Sequence, residues 1–410
     1  MGRGRRQSPP TPRVPAFRTH QTMSTIAVDG RKWNDFGIGT YVRCLVAALA
    51  RHQGPHDLVL LLHPETVRQG GGDELPAAVR TLPVAARSYS LRELVELGPV
   101  LRRAGVDLYH STHYPLPLRP PCPTVVTVHD LIHLLFPQFL PGGPRRLAAR
   151  LYASVMLRRS ARLAERIITP SRRTALDLQR HLAVPPEKID AIPNGVSSTF
   201  LAPQAQDAVE RTLAALAVRR PYVLFVGNPK PHKNLEGLLA ALARWRREDP
   251  AGSLPDLVCA GIERQHRGRV ERLANEHGLP RPRLLGVVDE VTLAHLYTGC
   301  EQFAFPSLYE GFGLPVAEAM ACGAPVVTSK LSSLPEVAGD AALLVDPSDE
   351  MALAAAMRRL HEEPELRQEL ARRGRTRAGE LSWELAAQRT AAVYEEALTA
   401  PHRRRQGGGA

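Results

Sequence analysis

Short apolar runs of strand length recur along this chain with stretches of helical pattern between them, and that alternation constrains the fold more than any other feature. The first series comprises "TIAVD" (25–29), "LVLLLH" (58–63), "TVVTVHD" (124–130) and "RIIT" (166–169), with helical stretches at 39–51, 144–165 and 171–182. Runs that are apolar along their whole length suit parallel strands covered by helices on both faces. After "IPNGVSSTF" the alternation lapses into "LAPQAQDAVERTLAAL", and a second series opens with "PYVLFVGN" (221–228). It continues through "DLVCAG" (256–261), "RLLGVV" (283–288), "QFAFPS" (302–307), "APVVTS" (324–329) and "ALLVDP" (342–347). The pattern predicts an α/β chain of two doubly wound, Rossmann-like domains, 23–200 and 201–382, joined near residue 200.

Composition sets the bounds. A length of 410 residues suits two or three domains, and a hydrophobic fraction of 44% with 23% charged residues is that of ordinary soluble proteins. No apolar run approaches the ~20 residues of a membrane-spanning helix and no leader resembles a signal peptide, so a cytoplasmic chain is expected. The five cysteines are odd in number and form no C-x-x-C pair, which argues for reduced thiols rather than disulfides or a Cys-ligated zinc.

The formal charge of +12 is local. Residues 1–22 carry Arg3, Arg5, Arg6, Arg13 and Arg18 without an acid, and Arg403, Arg404 and Arg405 follow at the other end. The stretch 144–166 holds seven arginines against Glu165 alone, so the rest of the chain is slightly acidic. No basic stripe crosses the fold, and a nucleic-acid partner is not expected. The Pro- and Arg-rich residues 1–22 read as a disordered extension, or as sequence ahead of a true start at Met23; 401–410 read as an unstructured tail.

Ligands of such sheets bind outside the carboxyl ends of the strands. That rule selects Gly37 and Gly39 in "WNDFGIGTY", His129 after "TVVTV", "GNPKPHKN" (227–234) and "PSLYEGFG" (306–313). "GNPKPHKN" lacks P-loop spacing, and "GIGTYV" lacks the third glycine of a dinucleotide fingerprint. What remains is Lys233 at the start of a helical stretch whose free N–H groups suit an anion; the alternative is an ordinary solvated lysine. In "LYEGFGLPVAEAM" (308–320), Pro315 suits a first helical turn and Gly311 and Gly313 permit a close bend. Glu310 then precedes the helix and Glu318 lies about one turn into it, so both carboxylates can face one pocket. Carboxylates there suit sugar hydroxyls. A glycosidase pair would need an acid partner that the loop does not supply.

Together, "GFGLPVAEAMACGAPVVTS", "FVGNPKPHKNLEGLL", "IPNGV" and "LPEVAGDAALLVDP" resemble the retaining nucleotide-sugar glycosyltransferases of family four (group 1), with a mannosyltransferase-like cast, over about residues 24–398. The resemblance implies the GT-B architecture: an acceptor-side N-terminal domain, a donor-binding C-terminal domain, a central cleft, and a closing helix (383–400) that crosses back. It implies that Glu310 holds the sugar hydroxyls, Glu318 the ribose, and Lys233 the leaving diphosphate, with His129 beside the transferred sugar. Donor contacts are implied at Gly37, Gly39, Asn228, Gly311, Phe312, Gly313 and Leu314 as well, and the catalytic set at His129, Lys233 and Glu310.

Many relatives of that family carry arginine where this chain has His232, and some a second arginine where it has Asn228, so the diphosphate would need charge from His232, Lys230 or the other domain. The implied reaction is front-side attack through an oxocarbenium-like state, the departing phosphate taking the acceptor proton, with neither cofactor nor metal. The donor is a nucleotide-diphosphate sugar, GDP-mannose first and a UDP-hexose second, and the acceptor a glycan or lipid-linked sugar. Rival readings are a UDP-N-acetylglucosamine epimerase of the same architecture and a non-catalytic sugar-nucleotide scaffold. A zinc hydrolase is disfavoured, because "HDLIH" (129–133) follows a strand-like run and has Asp130 where H-E-x-x-H has its glutamate.

In "PRRLAARLYASVMLRRSARLAER" (144–166), Leu147, Leu151 and Val155 share a helical face. Either that face packs on the sheet and leaves a solvated basic side, or the helix meets anionic lipid at the inner face of the membrane through Arg145, Arg146, Arg150, Arg158 and Arg159.

Overall fold

A computed structural model describes residues 23–52, 54–139, 144–249 and 254–400. Residues 1–22 and 401–410, where the extension and the tail are expected, lie outside the described residues, as do the side chains of Arg145 and Arg146. The first sheet contains β1 (Thr25–Asp29), β2 (Asp57–Leu62), β3 (Val79–Pro83), β4 (Leu108–Ser111), β5 (Thr124–Thr127), β6 (Arg166–Thr169) and β7 (Ile189–Ala191). The second contains β8 (Tyr222–Val226), β9 (Asp256–Ala260), β10 (Arg283–Leu284), β11 (Gln302–Phe305), β12 (Val326–Ser329) and β13 (Ala342–Val345). Among the described residues the orders are β3-β2-β1-β4-β5-β6-β7 and β10-β9-β8-β11-β12-β13, and the pairings in both sheets are parallel.

The strands are apolar throughout because each sheet is covered twice. Successive side chains alternate faces: Ile26 and Val28 enter one core and Ala27 the other, while Tyr222 and Leu224 part from Val223 and Phe225 in the same way. Strand order reverses at β1/β4 and at β8/β11. A crevice opens at such a switch point, so the loops after these strands, and after their neighbour β5, form the natural place for a site.

The Trp383–Thr399 helix packs its Trp383, Ala386, Val393 and Tyr394 into the core of the first sheet. The chain thus crosses between the sheets twice, and the crossings touch. A Cβ at Gly195 would lie 2.2 Å from the Trp383 nitrogen, while Val196 N–H donates to the Leu381 carbonyl at 2.9 Å. The glycine of "IPNGV" is therefore required by the close approach of two backbones. A buried chain secures the returning helix: His110 Nδ1 meets Tyr394 Oη at 2.7 Å, His110 Nε2 meets Thr127 Oγ1 at 2.8 Å, and Tyr41 Oη reaches the same Thr127 at 2.9 Å. Burial lowers the His110 pKa to about 3, so the ring packs as a neutral group.

Three strands escape the pattern of apolar runs. β3 is a half-exposed edge, β7 is short, and β4 ends in the buried polar pair His110 and Ser111. The run 283–288 yields only the two residues of β10.

Candidate active site

The loop after β8 descends into a short 3₁₀ turn, Pro231–Lys233, and the Leu235–Glu248 helix follows an Asn234 in the left-handed region. Lys233 therefore precedes the helix instead of opening it, and it is not a solvated lysine. Its Nζ lies 2.8 Å from Glu310 Oε1 and 4.7 Å from the centre of the Phe305 ring, and the side chains of the pair are 17% and 13% exposed. The two loops are tied by Leu308 N–H, which donates to the His232 carbonyl at 2.8 Å.

Glu310 is held by its own backbone. Its N–H donates to Ser332 Oγ at 3.1 Å, and its carbonyl accepts from Ser332 and Ser333 hydroxyls at 2.6 and 2.9 Å. Gly313 (φ 111°) then caps the Leu314–Ala321 helix, with Pro315 in its first turn. On that helix Glu318 Oε2 accepts from Tyr297 Oη at 3.2 Å. Burial lifts the Glu318 pKa to about 7, opposed by the Tyr297 hydrogen bond and the Lys233 charge, so the carboxyl is poised to gain or lose a proton near neutrality.

From the first sheet, His129 stands one residue beyond Val128, just past the end of β5. Its Nε2 lies 2.9 Å from the Thr112 carbonyl, which can only accept, so Nε2 carries the proton and Nδ1 is the acceptor. Tyr41 packs edge-on at 4.8 Å, and burial lowers the His129 pKa to about 4 although the Thr112 carbonyl favours the charged form. His129 is a neutral imidazole at pH 7. Gly311 meets it from the other sheet: a Cβ at Gly311 would lie 1.9 Å from the His129 carbonyl oxygen. Only glycine allows this junction. It sets the Lys233–Glu310 pair beside the His129 loop, at the carboxyl edges of both sheets.

The remaining expected residues divide. Gly37 (φ 70°) caps the Ile38–Arg51 helix, which carries Gly39 and the Tyr41 that touches His129. Leu314 packs against the cores of both sheets, whereas the Phe312 side chain is buried in the second core. Asn228 Nδ2 donates to Glu263 Oε1 at 2.8 Å. Burial lowers the His232 pKa to about 4, so in the absence of a bound anion the ring is neutral at pH 7. Of the cations on this loop, Lys233 and the exposed Lys230 remain. Among the described residues no three His, Cys, Asp or Glu side chains gather as a metal site.

Sequence reasoning missed a buried charge cluster at the end of β1. The Arg31 guanidinium binds Asp29 through Nε at 2.9 Å and donates Nη1 to the Ala86 carbonyl at 2.9 Å, while Tyr109 Oη donates to Asp29 at 2.6 Å and Glu93 and His113 close around them. Burial alone would raise the Asp29 pKa, but Arg31, His113 and the Tyr109 hydroxyl together outweigh it and hold the carboxylate well below its usual range. The signal was present: "AVDGR" ends a strand on an acid, at the edge where the other candidates were found.

The Pro144–Leu163 helix corrects two expectations. It packs through Ala153, Met156 and Leu157, leaving Leu147, Leu151 and Val155 exposed, so the apolar stripe does not lie on the sheet. Arg150 and Arg158 are exposed, but Arg159 turns inward and donates to the Leu116 carbonyl at 2.8 Å and to that of Pro117, so it anchors the helix instead of facing outward.

A family model for glycosyl transferases group 1 matches residues 210–377, and one for Glycosyltransferase Family 4 matches 37–200. The chain is 30% identical over 329 residues to O-antigen chain mannosyltransferase B of Escherichia coli, covering 78% of this chain and 82% of that protein. It is 35% identical over 260 residues to the MMP alpha-(1->4)-mannosyltransferase of Mycolicibacterium hassiacum, with 62% and 59% covered. Sucrose-phosphate synthase from Thermosynechococcus elongatus superimposes with a TM-score of 0.72 at 25% identity, covering 91% of this chain and 98% of that one.

The raised pKa of Glu318 makes stability depend on pH. Below its unfolded value near 4.5 the carboxyl is neutral in both states; as pH rises towards 7 the unfolded chain releases the proton first and the native state loses ground. Denaturant titrations at pH 5 and pH 8 should show Glu318→Gln gaining on the wild type at the higher pH by about 1–3 kcal/mol. An unchanged difference between the two pH values would show that Glu318 ionises normally.

Proposed function

The chain belongs to the group 1 glycosyltransferases of family 4, and on that premise we propose that it moves mannose from GDP-mannose, with retention of configuration, to a hydroxyl of a glycan or lipid-linked acceptor. The observation that carries this reading is the Lys233–Glu310 pair at 2.8 Å beside the His129 loop. A pair of this kind is matched to a donor with an anionic diphosphate and a neutral polyol. The phosphate takes Lys233, and the released Glu310 carboxylate accepts from the sugar hydroxyls. Glu318 takes the ribose hydroxyls, which favours its ionised form. His129, neutral and protonated on Nε2, offers Nδ1 as an acceptor to the sugar.

Charge builds on the leaving diphosphate as the glycosidic bond stretches. Lys233 and the N-terminus of the Leu314–Ala321 helix, which bears roughly half a positive charge, meet it in a largely dry site where such interactions act most strongly. We assign them the part that a metal ion plays in other transferases. Attack from the leaving-group side, with the phosphate oxygen taking the acceptor proton, needs positioning more than a protein base. A polar cavity of about 380 Å³ after β1, β2 and β3, lined by Lys32, Asn34, His63 and Arg87 among others, suits a hydroxyl-rich acceptor. The mannosyltransferase names of the relatives support the sugar, and retained Lys233, Glu310 and Glu318 favour transfer over epimerisation or a silent scaffold.

The solvent-facing stripe of Leu147, Leu151 and Val155, followed by Arg158 and flanked by Arg150, supports peripheral contact with an anionic membrane surface. Each basic side chain near such a surface contributes ~1 kcal/mol, and the apolar stripe adds burial. Among the described residues no helix is long and apolar enough to cross a membrane.

Calorimetry should show GDP binding in preference to UDP, with Lys233→Ala weakening it by at least about 30-fold while the protein stays folded; equal affinities for GDP in wild type and variant would remove Lys233 from the donor site. In flotation with phosphatidylcholine vesicles with and without phosphatidylglycerol, the wild type should rise only with the anionic lipid. A Leu147→Ser, Leu151→Ser, Arg158→Glu variant should stay at the bottom of both gradients, and flotation equal to wild type would exclude this helix as the contact.

A further inference from the structure

The residue before Glu310 is held by the opposite half of the molecule. Tyr309 Oη donates to Asp177 Oδ2 at 3.0 Å and accepts from the Leu131 N–H at 3.3 Å, and its ring packs against Phe136 with centres 4.8 Å apart. Asp177, on the Arg172–Leu182 helix, is also bound by Arg173 Nε at 3.0 Å. Tyr309 is 3% exposed and Asp177 1%.

The residue after Glu310 is held in the same way. The Gly311 carbonyl accepts from Ser171 Oγ at 2.7 Å and from Thr174 Oγ1 at 3.3 Å, and the same threonine oxygen lies 3.3 Å from the His129 carbonyl. Glu336 adds a further tie, its carboxylate accepting from the Arg172 and Arg173 N–H groups at that helix's start. Glu310 therefore stands between two residues that are both bound to the half carrying His129.

We propose that Tyr309 and Asp177 are a positioning pair that sets Glu310 against His129 when the two halves of the molecule meet; the proposal rests on the donor roles given above to those two residues. Tyr309 touches neither donor nor acceptor in this scheme. It acts through its chain neighbour, and the physical reason is an asymmetry of solvation. With the halves together, removing the Tyr309 hydroxyl leaves Asp177 Oδ2 and the Leu131 N–H short of a partner in a dry interface. With the halves apart, water satisfies both groups, so the loss falls on the joined arrangement alone. The donor groups Lys233 and Glu318 lie on the second sheet's side and keep their geometry in either arrangement.

The test compares wild type, Tyr309→Phe, Asp177→Leu, which fills the same space without an acceptor, and the double variant in three measurements: steady-state transfer from GDP-mannose, GDP binding by calorimetry, and small-angle scattering with saturating GDP. The expected result is a kcat lowered by about 10- to 100-fold in each single variant, with GDP affinity within about twofold of wild type. The double variant should be no worse than the poorer single one, because both changes remove one interaction. The radius of gyration should be larger in all three variants. A kcat within about twofold of wild type, or losses that multiply in the double variant, overturns the pair, as does an unchanged radius of gyration. If the wild type transfers no sugar while the scattering still separates variants from wild type, the functional reading fails and the positioning pair stands.

Discussion

The backbone of Gly311 resting against the carbonyl of His129 is the contact on which the site depends. Each of these residues lies in a loop at the carboxyl edge of a different sheet, and a single added methyl group would force the loops apart. Because they touch, a cation and a carboxylate from the second sheet stand beside an imidazole from the first. The chain crossings at Gly195 and Trp383 bring the halves together a second time, and the buried His110–Tyr394 hydrogen bond fixes the returning helix to the first sheet.

Electrostatics in this cleft follow from burial. Burial keeps His129 and His232 neutral, so among the cations of the 227–234 loop the charge rests on Lys233 and the exposed Lys230. Lys233 is already paired with Glu310. In the proposed reaction an incoming phosphate would exchange one anionic partner of Lys233 for another and free the Glu310 carboxylate for sugar hydroxyls. That exchange avoids leaving either charge buried alone, the costly alternative in a site of low polarity.

The two sheets were legible because their strands are covered on both faces and so read as unbroken apolar runs. The strands that were missed lack that signature: β3 is an exposed edge, and β4 buries a histidine whose partners lie on other elements. That Lys233, Glu310 and His129 would come together beyond the strand ends, with Glu318 on the following helix, was legible through the rule for strand ends joined to a recognisable spacing. Their partners were not. Tyr309 meets Asp177 across 132 positions of sequence, and no local pattern encodes such a pair. Nor could helical spacing say which way the Pro144–Leu163 helix faces, since it is apolar on both sides: Ala153, Met156 and Leu157 turned inward and Leu147, Leu151 and Val155 outward. Arg159 shared the charge run of its neighbours but found backbone carbonyls to bind.

The front-side transfer proposed here has one direct stereochemical consequence. GDP-mannose is α-configured, and attack from the face of the departing phosphate keeps that configuration. The decisive measurement is nuclear magnetic resonance of the mannosylated product, read early in the reaction at the anomeric position. An α-linked mannose released together with GDP is the expected result. A β-linked product would contradict front-side transfer and require a group on the opposite face that acts as a base for an inverting attack.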